Sequence, residues 1–306
     1  MNEFLDSGLL RCFLAVLEHR KLTIAAERLC LTQPAVSKSL RRLEDELGVI
    51  LFDRTPGGMV PTTYGLALGR RARMINMEAK SAREELRVLK EGGFGSVAIG
   101  IGPLWSVYLL PQAIARVVRE HSKVNVKVVS GVLSTLLPQL LKGELDVVCS
   151  ALDFPDHPDL IKKPLLKSEH EIFAHESHPL CSRDDVTIAD LLEYPFAALV
   201  DDYAGRERLE RQFAHRGLPS PQVAVEASSI EMLFSLIATG TFLSSMSSQL
   251  LERGAALGLK ALPVPERFWS FDAGLVHRRS SLSATLITMV ESALRDTLAS
   301  NGSTGP

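Results

Sequence analysis

The 306-residue sequence predicts an α/β protein built in three parts: a small helical head, one long helix and a two-lobed body. Three observations lead to this prediction. Residues 1–62 hold two short amphipathic helices followed by a Pro-Gly-Gly turn. Residues 63–92 carry an apolar heptad repeat. From 93 to 300, short apolar runs alternate with helical patterns, which indicates βαβ units and a parallel sheet covered on both faces.

The second helix of the head, from Gln33 to Leu47, has two unlike faces. At 100° per residue, one narrow stripe is apolar and would anchor the helix to a small core: Val36, Leu40, Leu43 and Leu47. The opposite face offers short hydroxyls and long cations, which suit the base edges and phosphates of a DNA major groove. Thr32 is placed to cap the helix, and Pro34 lies in its first turn. The alternative is a solvated basic face without a ligand.

The predicted DNA contacts lie on that polar face and on the hairpin formed around Pro56, Gly57 and Gly58, which reads as a wing beside the helix pair. We expect the helix to supply both base readers and phosphate contacts, and the wing to supply a phosphate contact. The base readers are Gln33, Ser37 and Lys38, and the phosphate contacts are Arg41, Arg42 and Arg54. Thr32, Pro34 and Thr62 complete the predicted set.

The long helix, from Thr63 to about Lys90, carries apolar residues at alternating spacings of four and three. Such a seam cannot be buried by the helix alone, so we predict that it pairs with a second copy of the chain; packing against the chain's own body is the alternative. The predicted dimerisation residues are Leu68, Ala72, Ile75, Ala79, Ala82, Leu86 and Leu89.

Charge and cysteine content fit this division. Residues 1–92 carry 15 Lys and Arg against 12 Asp and Glu, whereas the remainder is acidic, and the whole chain has a net charge of −2. A mildly basic head suits contact with DNA at one end. The four cysteines show neither metal-like nor disulfide-like spacing, so we expect free, mostly buried thiols, with a redox switch as the alternative. No signal peptide or membrane span is predicted, and we expect a cytoplasmic protein.

The head resembles the LysR-type transcriptional regulators. The resemblance runs without a gap from about Leu10 to Gly65 and rests on several spaced motifs. These are Leu10–Leu17, Ala25-Ala26, Thr32–Ser37, Leu43-Glu44, Leu47-Gly48, Leu51-Phe52 and Arg54-Thr55. Weaker signatures of the same family follow in the body: Leu109–Pro111, Gly143–Asp146 and His178–Leu180.

The resemblance implies a winged helix-turn-helix DNA-binding domain over 1–62 and a dimerisation helix over 63–92. It also implies a periplasmic-binding-protein-like (type II) effector domain over 93–300. Lobe I of that domain would comprise 93–164 and 269–300, lobe II would comprise 165–268, and 301–306 would be a flexible tail. The implied partners are operator DNA, a small-molecule effector, further copies of the chain in a dimer or tetramer, and RNA polymerase.

The effector is expected where ligands bind in open α/β sheets, outside the carboxyl ends of the strands. Hydroxyls and free N–H groups there favour an anion such as a carboxylate, with Ser106, Ser134 and Ser228 as its donors. Asp201 and Asp202 oppose this choice, because their charge would repel an anion. The predicted contact set is Pro103, Trp105, Ser106, Gly131, Val132, Ser134, Val200, Asp201, Ser228 and Met246. For each serine, capping a helix is the alternative role.

Neither a metal site nor an enzyme is predicted, and no cofactor is expected. His170, His175 and His178 form the one tempting metal-binding cluster, but His170 and His175 would point to opposite faces of a strand. The chain contains neither a complete dinucleotide fingerprint nor a Gly-x-Ser-x-Gly nucleophile motif. A solute-binding protein without regulatory DNA binding is the alternative function, but it leaves the first 90 residues unexplained.

Overall fold

The computed structural model describes residues 7–91, 95–264, 268–279 and 284–302. The chain divides into two compact units, 1–90 and 91–306. Most of the predicted tail, residues 303–306, and the side chain of Leu89 lie outside the described residues. None of the helices in the described ranges has the length and apolar character needed to cross a membrane.

The first unit begins with three helices, α1 (Ser7–His19), α2 (Leu22–Leu29) and α3 (Gln33–Leu47). Two short antiparallel strands follow, β1 (Phe52–Thr55) and β2 (Gly58–Pro61), and form the wing. The long helix α4 (Thr63–Glu91) completes the unit. The predicted helix pair, wing and long helix are therefore all present.

The core of the head forms from the apolar stripes of its helices. Val36, Leu40 and Leu43 of α3 are buried, as the helical period predicts. Leu47, the fourth residue of the predicted stripe, is 37 % exposed, because it is the last residue of the helix. Phe13 of α1 packs against Phe52 of the wing with ring centroids 5.5 Å apart. Each helix is kept short by a residue in the left-handed region: Cys30 (φ 54°) after α2 and Gly48 (φ 68°) after α3.

The start of α4 packs closely on this core. A Cβ at Gly65 would lie 2.2 Å from the backbone oxygen of Leu51, and a Cβ at Gly69 would lie 2.5 Å from the Leu17 side chain. Ala72, one turn further on, is fully buried. Small residues at this helical spacing let α4 approach α1 and the wing, so its first turns belong to the head.

The first lobe of the second unit contains β3 (Gly95–Ile101), α5 (Leu110–Glu120), β4 (Val124–Ser130), α6 (Leu133–Lys142), β5 (Val147–Ala151) and α10 (Ala284–Gly302). Strand β3 lies between β4 and β5 and is parallel to both. The βαβ prediction is correct for this lobe.

Two long strands correct the prediction of an all-parallel sheet. These are β6 (Leu160–His175) and β11 (Trp269–Arg278), which pair antiparallel with each other over Leu160–His170. Strand β6 carries the chain out of the first lobe and β11 brings it back, so the two must run in opposite directions. The predicted lobe boundary at 164/165 falls inside β6.

The second lobe is built on the far end of β6. There, β6 pairs antiparallel with β9 (Ser244–Ser247) and β10 (Leu259–Ala261). Beside them lie the parallel strands β7 (Phe196–Leu199) and β8 (Val223–Ala227). Helices α7 (Tyr203–Ala214), α8 (Ile230–Ile237) and α9 (Leu251–Ala255) complete the lobe.

All four cysteines are free. Cys12 and Cys149 are buried, and burial raises the pKa of the Cys149 thiol, which keeps it protonated. Cys181 is half-buried, whereas Cys30 is exposed, contrary to the expectation of mostly buried thiols at apolar positions. Its exposure follows from its place at the end of α2, where the chain turns through the left-handed region.

Candidate nucleic-acid interface and ligand cavity

The N-terminus of α3 is shaped to enter a groove. Thr32 adopts extended backbone geometry, and its hydroxyl accepts a hydrogen bond from the N–H of Ala35 at 3.3 Å. Pro34 lies in the first turn, where its missing N–H leaves no hydrogen bond unmade. Thr32, Gln33 and Pro34 are exposed, and the first turn contains no acidic residue. The N-terminus of α3 therefore combines the positive end of the helix dipole with exposed side chains that carry no negative charge, which suits the binding of a polyanion.

The predicted phosphate and base contacts differ in whether another side chain of the protein already pairs with them. Gln33, Lys38 and Arg41 are exposed, and Lys38 and Arg41 have no ion-pair partner among the described residues. Arg42 pairs with Glu46 at 2.9 Å. Because both groups of that pair are well exposed to solvent, the pair is weak and Arg42 stays available to a phosphate.

A side-chain contact couples the wing to α3. The guanidinium Nη2 of Arg54 in β1 donates to the hydroxyl of Ser37 at 3.3 Å. The structure therefore brings these two predicted DNA contacts together, on the exposed side of the head. A shallow groove between the wing and the start of α2 continues the same surface, with Gln33 and Arg54 on its wall.

The wing is fixed at both ends. The N–H of Met59 donates to the carbonyl of Arg20 at 2.7 Å, an approach that requires Gly58, whose φ is +127° and whose added Cβ would lie 2.4 Å from that oxygen. At the other end, the carboxylate of Glu44 accepts from the N–H groups of Leu51 (2.8 Å) and Phe52 (3.3 Å). Sequence reasoning did not assign this role to Glu44, although the Leu43-Glu44 pair was one of the motifs behind the resemblance.

Thr62 has a capping role that the predicted contact set did not foresee. Its hydroxyl donates to the carbonyl of Ile50 at 2.7 Å and accepts from the N–H of Gly65 at 3.1 Å. The hydroxyl thus closes the corner between the wing and α4, and is not free to act as a DNA donor.

The predicted dimerisation seam divides into two parts. Leu68 and Ala72 pack on the core of the head, so the chain itself accounts for them. Beyond them, Ile75 is 43 % exposed and Leu86 is 66 % exposed, and Ala79 and Ala82 are also exposed. An apolar row at heptad spacing therefore stays uncovered within the described part of this chain.

The body contains a cavity of about 120 Å³ between its two lobes. The first lobe contributes the loops after β3 and β4, and the second contributes β7, the start of α7 and β9. Four of the predicted contacts line it: Pro103, Trp105, Val132 and Met246. The cavity therefore lies where the rule that ligands bind outside strand carboxyl ends predicts a site.

Six predicted contacts are not among the residues that line the cavity: Ser106, Gly131, Ser134, Val200, Asp201 and Ser228. The hydroxyl of Ser106 donates to the carbonyl of Pro103 at 2.8 Å, and that of Ser134 donates to the carbonyl of Asp201 at 2.6 Å. The N–H of Gly131 donates to the carbonyl of Ile101 at 3.0 Å.

Of the other three residues, two are exposed and one accepts a side-chain hydrogen bond. Val200 is 38 % exposed, and Ser228 is exposed while its neighbour Ser229 caps α8. The carboxylate of Asp201 accepts from the hydroxyl of Tyr203 at 3.1 Å. The hydroxyls of Ser106 and Ser134 donate to backbone carbonyls, the second of them in the opposite lobe, and Ser228 is exposed, so none of the three serines lines the cavity.

The cavity's polar wall is centred instead on His170 of β6. The ring nitrogens of His170 lie 3.2 Å from the Ser245 hydroxyl and 3.4 Å from the Ser247 hydroxyl. The ring stacks on Trp269 with centroids 4.2 Å apart. Burial, and then the charge of Arg208, lower the pKa of His170 to about 3, so the imidazole is neutral at physiological pH. Sequence reasoning singled out His170 only as a metal ligand, and its position on a strand that links the lobes was the missed signal.

Two contacts join the lobes beside the cavity. Arg208 of α7 pairs with the carboxylate of Asp153 at 2.8 Å, and Asp153 follows β5 in the first lobe. The Ser134 hydrogen bond to Asp201 is the second, and Asp201 adopts a left-handed φ of 61°. Since both contacts cross from one lobe to the other, they hold the lobes together around the cavity.

The histidine cluster considered as a metal site is used for structure. His175 Nδ1 contacts the hydroxyl of Ser177 at 2.7 Å, and His178 Nδ1 accepts from the N–H of Leu180 at 3.2 Å. Across the residues that the structure describes, no three His, Cys, Asp or Glu side chains are arranged to hold a metal ion.

Comparison with known families agrees with this geometry. Residues 8–66 match the family described as a bacterial regulatory helix-turn-helix protein of the lysR family. Residues 90–298 match the LysR substrate binding domain, which covers more than half of the chain. The chain belongs to the LysR family. Its regulator architecture, a winged helix-turn-helix followed by an α/β effector-binding domain, is the one predicted.

Individual members of the LysR family are similar over most of their length. The regulator GbpR of Azospirillum brasilense is 33 % identical over 78 % of this chain and 71 % of its own. The regulator CysB of Burkholderia cenocepacia is 29 % identical over 84 % of this chain and 82 % of its own. Among solved structures, a full-length OxyR variant from Pseudomonas aeruginosa shares the fold with a TM-score of 0.63, at 20 % identity and 96 % coverage of both chains. GbpR and CysB are both helix-turn-helix transcriptional regulators.

Proposed function

We propose that this LysR-type transcriptional regulator reads a specific operator through the N-terminal half of α3, with the wing holding the flanking backbone. The observation that carries the proposal is the division of α3 into two faces. Val36, Leu40 and Leu43 of its apolar stripe are buried in the head, whereas Gln33, Lys38 and Arg41 are exposed without competing acidic partners among the described residues. A solute-binding protein would have no use for such a head.

Base and phosphate contacts follow from position on the helix. Gln33 and Lys38 lie where α3 would enter the major groove, and a Gln side chain can accept and donate to adenine in a bidentate pair. Arg41 and Arg42 lie further along and would meet phosphates. Ser37 is held by Arg54, so we assign Arg54 both a phosphate contact and the positioning of Ser37.

Binding of the full chain to labelled random double-stranded DNA tests the DNA-binding part directly. We expect affinity to fall steeply between about 50 and 200 mM salt, because phosphate contacts release counterions. A double variant, Lys38→Ala with Arg41→Ala, should bind weakly and show a smaller salt slope. The control is Arg183→Ala, whose side chain pairs with Asp190 within the body. Equal binding by both variants would contradict the proposed surface.

We further propose that a small molecule bound in the inter-lobe cavity changes the balance between two arrangements of the lobes, and so alters transcription. Support comes from the lobe-to-lobe contacts Arg208–Asp153 and Ser134–Asp201, which any relative movement of the lobes must break or reshape. The predicted carboxylate effector rested on Ser106, Ser134 and Ser228. Because those hydroxyls do not line the cavity, the residues that do line it determine which ligand the cavity favours.

The assembly is proposed to be a dimer through the uncovered part of the α4 seam, from Ile75 to Leu86, and a tetramer through contacts between bodies. Support comes from the exposed heptad row, which a second copy would cover. We also propose that the DNA-bound assembly acts in the cytoplasm and contacts RNA polymerase there. Sedimentation of the full chain tests the oligomeric state.

A further inference from the structure

We propose that the cavity selects an uncharged, mainly apolar molecule whose buried part is about the size of a benzene ring and which carries at least one hydrogen-bond acceptor such as a carbonyl oxygen. The inference rests on the proposed function, because it names the chemistry of the effector that this cavity would hold. It replaces the carboxylate that the sequence alone favoured.

Size and wall composition set the first limit. The cavity measures about 120 Å³, slightly less than the roughly 150 Å³ that accommodates benzene in an engineered protein cavity. Phe196, Ile230 and Leu233 of the second lobe and Phe271 of β11 form its apolar wall, and all four side chains are buried. A ligand that fills this space must lose most of its water, which favours apolar surface and disfavours charge.

The cationic side chains at the cavity are already paired with carboxylates of the chain. Arg206 pairs with Glu226, and Arg208 pairs with Asp153 at 2.8 Å. These are the only cationic residues among the described residues that line the cavity. The Asp202 side chain adds a carboxylate, which accepts from the N–H of Gly205 at 3.1 Å. An anionic ligand would therefore lose its hydration without gaining an unpaired cation, and would meet Asp202 as well.

Two hydrogen-bond donors at the cavity, the indole N–H groups, have no acceptor. Trp105 and Trp269 both line it, and the indole Nε1–H of each is buried without a hydrogen-bond partner. Trp105 is only 1 % exposed, so water does not satisfy its donor from the surface. A buried donor without an acceptor is unfavourable and uncommon in native proteins. A neutral acceptor on the ligand would satisfy such a donor without bringing a charge into the cavity.

The chain itself provides the reporter for a test. It has two tryptophans, and both line the cavity, so intrinsic fluorescence responds to a ligand there without a label. We would titrate the full chain with benzamide and with benzoate, which have nearly the same shape but differ in charge, and repeat the titration with acetophenone. Benzamide and acetophenone should change the fluorescence and raise the melting temperature. Benzoate should bind at least about tenfold more weakly.

Three variants test, one at a time, the indole hydrogen-bond donor, the carboxylate charge and the effect of a substitution outside the cavity. Trp269→Phe keeps an aromatic ring but removes one donor, and should weaken benzamide binding roughly two- to tenfold, with Trp105 still reporting. Asp202→Asn keeps a side chain able to cap α7 but removes the charge, and should strengthen benzoate binding while leaving benzamide unchanged. Ser228→Ala, at an exposed position outside the cavity, should change neither.

Tighter binding of benzoate than of benzamide would overturn the inference and leave the cavity as the effector site. Unchanged affinity for both neutral probes in Trp269→Phe and in Trp105→Phe would overturn the donor assignment, and with it the inference. If no probe of either charge bound at millimolar concentration, the proposed effector role of the cavity would fall too, whereas DNA binding by the head would be unaffected.

Discussion

The head and the body of this regulator differ in whether their cationic side chains are paired with carboxylates. On α3, Lys38 and Arg41 are exposed and unpaired within the described chain, and further along α4 an apolar row is uncovered. In the body, Arg206, Arg208 and Arg278 each pair with a carboxylate, and the cavity histidine is neutral. The comparison teaches that the head leaves cations available to a partner and that α4 leaves an apolar row uncovered, whereas these three arginines of the body are already paired within the chain.

The largest expected effect tests the uncovered row of α4. Ile75→Asp combined with Leu86→Asp would place two charges in the proposed helix–helix seam, where each unpaired buried charge costs about 3–5 kcal/mol. Because such a cost raises a dissociation constant more than about a hundredfold, we expect the dimer to dissociate. Sedimentation velocity measures this directly. Arg83→Asp, exposed on α4 but outside the seam, is the charge control, and an unchanged assembly in the double variant would contradict the seam.

The next effect tests the claim that the body depends on matched charge. The buried guanidinium of Arg278 donates to the carbonyl of Leu140 at 2.6 Å and also to that of Leu145, and lies 3.7 Å from Asp146. Arg278→Leu would leave these acceptors unsatisfied, and should lower the free energy of unfolding by about 3 kcal/mol. Denaturant unfolding of the variant measures the change. Arg41→Leu on the head is the matched control and should change stability by less than about 0.5 kcal/mol.

A pH dependence follows from His170. Its pKa of about 3 in the folded protein lies below its ordinary value of 6.5, so protons bind the unfolded chain more readily. The folded state therefore keeps its full stability above pH 6.5 and loses it as the pH falls towards 3, by up to about 1.4 kcal/mol per pH unit for one proton. Melting at pH 7 and pH 5 measures the loss. His170→Gln should remove that part of it, and an identical pH profile in the variant would contradict a buried neutral imidazole.

The smallest effect distinguishes base reading from phosphate binding on the head. Gln33→Ala should lower affinity by about 1–3 kcal/mol for the operator and much less for a site mutated at the contacted base pair. Arg54→Ala should weaken all sequences alike and reduce the salt slope by about one. Anisotropy titrations on both DNAs at several salt concentrations separate the two patterns. An unchanged operator affinity in Gln33→Ala would mean that α3 sits in the groove with a different register.

Much of the head was predictable from sequence because its signals are local. A capping threonine, a proline in the first turn and a 3.6-residue apolar period all act within a few residues. The structure confirms the cap, the proline and three of the four apolar positions, and Leu47 at the end of the helix is exposed. The wing's attachment was less accessible. Glu44 reaches backbone N–H groups seven and eight residues away, and the resulting turn geometry is not encoded in any periodic pattern.

The sequence predicted which loops surround the cavity, but not which side-chain groups form its wall. Strand ends predicted the right loops, yet Ser106 and Ser134 use their hydroxyls on nearby or opposing carbonyls, a choice that depends on tertiary geometry. His170 and Trp269 meet because β6 and β11 pair in antiparallel register, where these two residues lie opposite each other. That pairing joins positions almost a hundred residues apart, so a parallel-sheet prediction could not bring them together.

The glycines of α4 have a consequence for the spacing of DNA sites. Gly65 and Gly69 bring the helix so close to the wing and α1 that its first turns pack as part of the head, which also contains α3. In a dimer joined further along α4, the angle at which the two helices cross would therefore fix the separation of the two recognition helices. The distance between operator half-sites would then be inherited from that crossing angle, and a shift of the seam by one heptad would change the spacing without altering a single base contact.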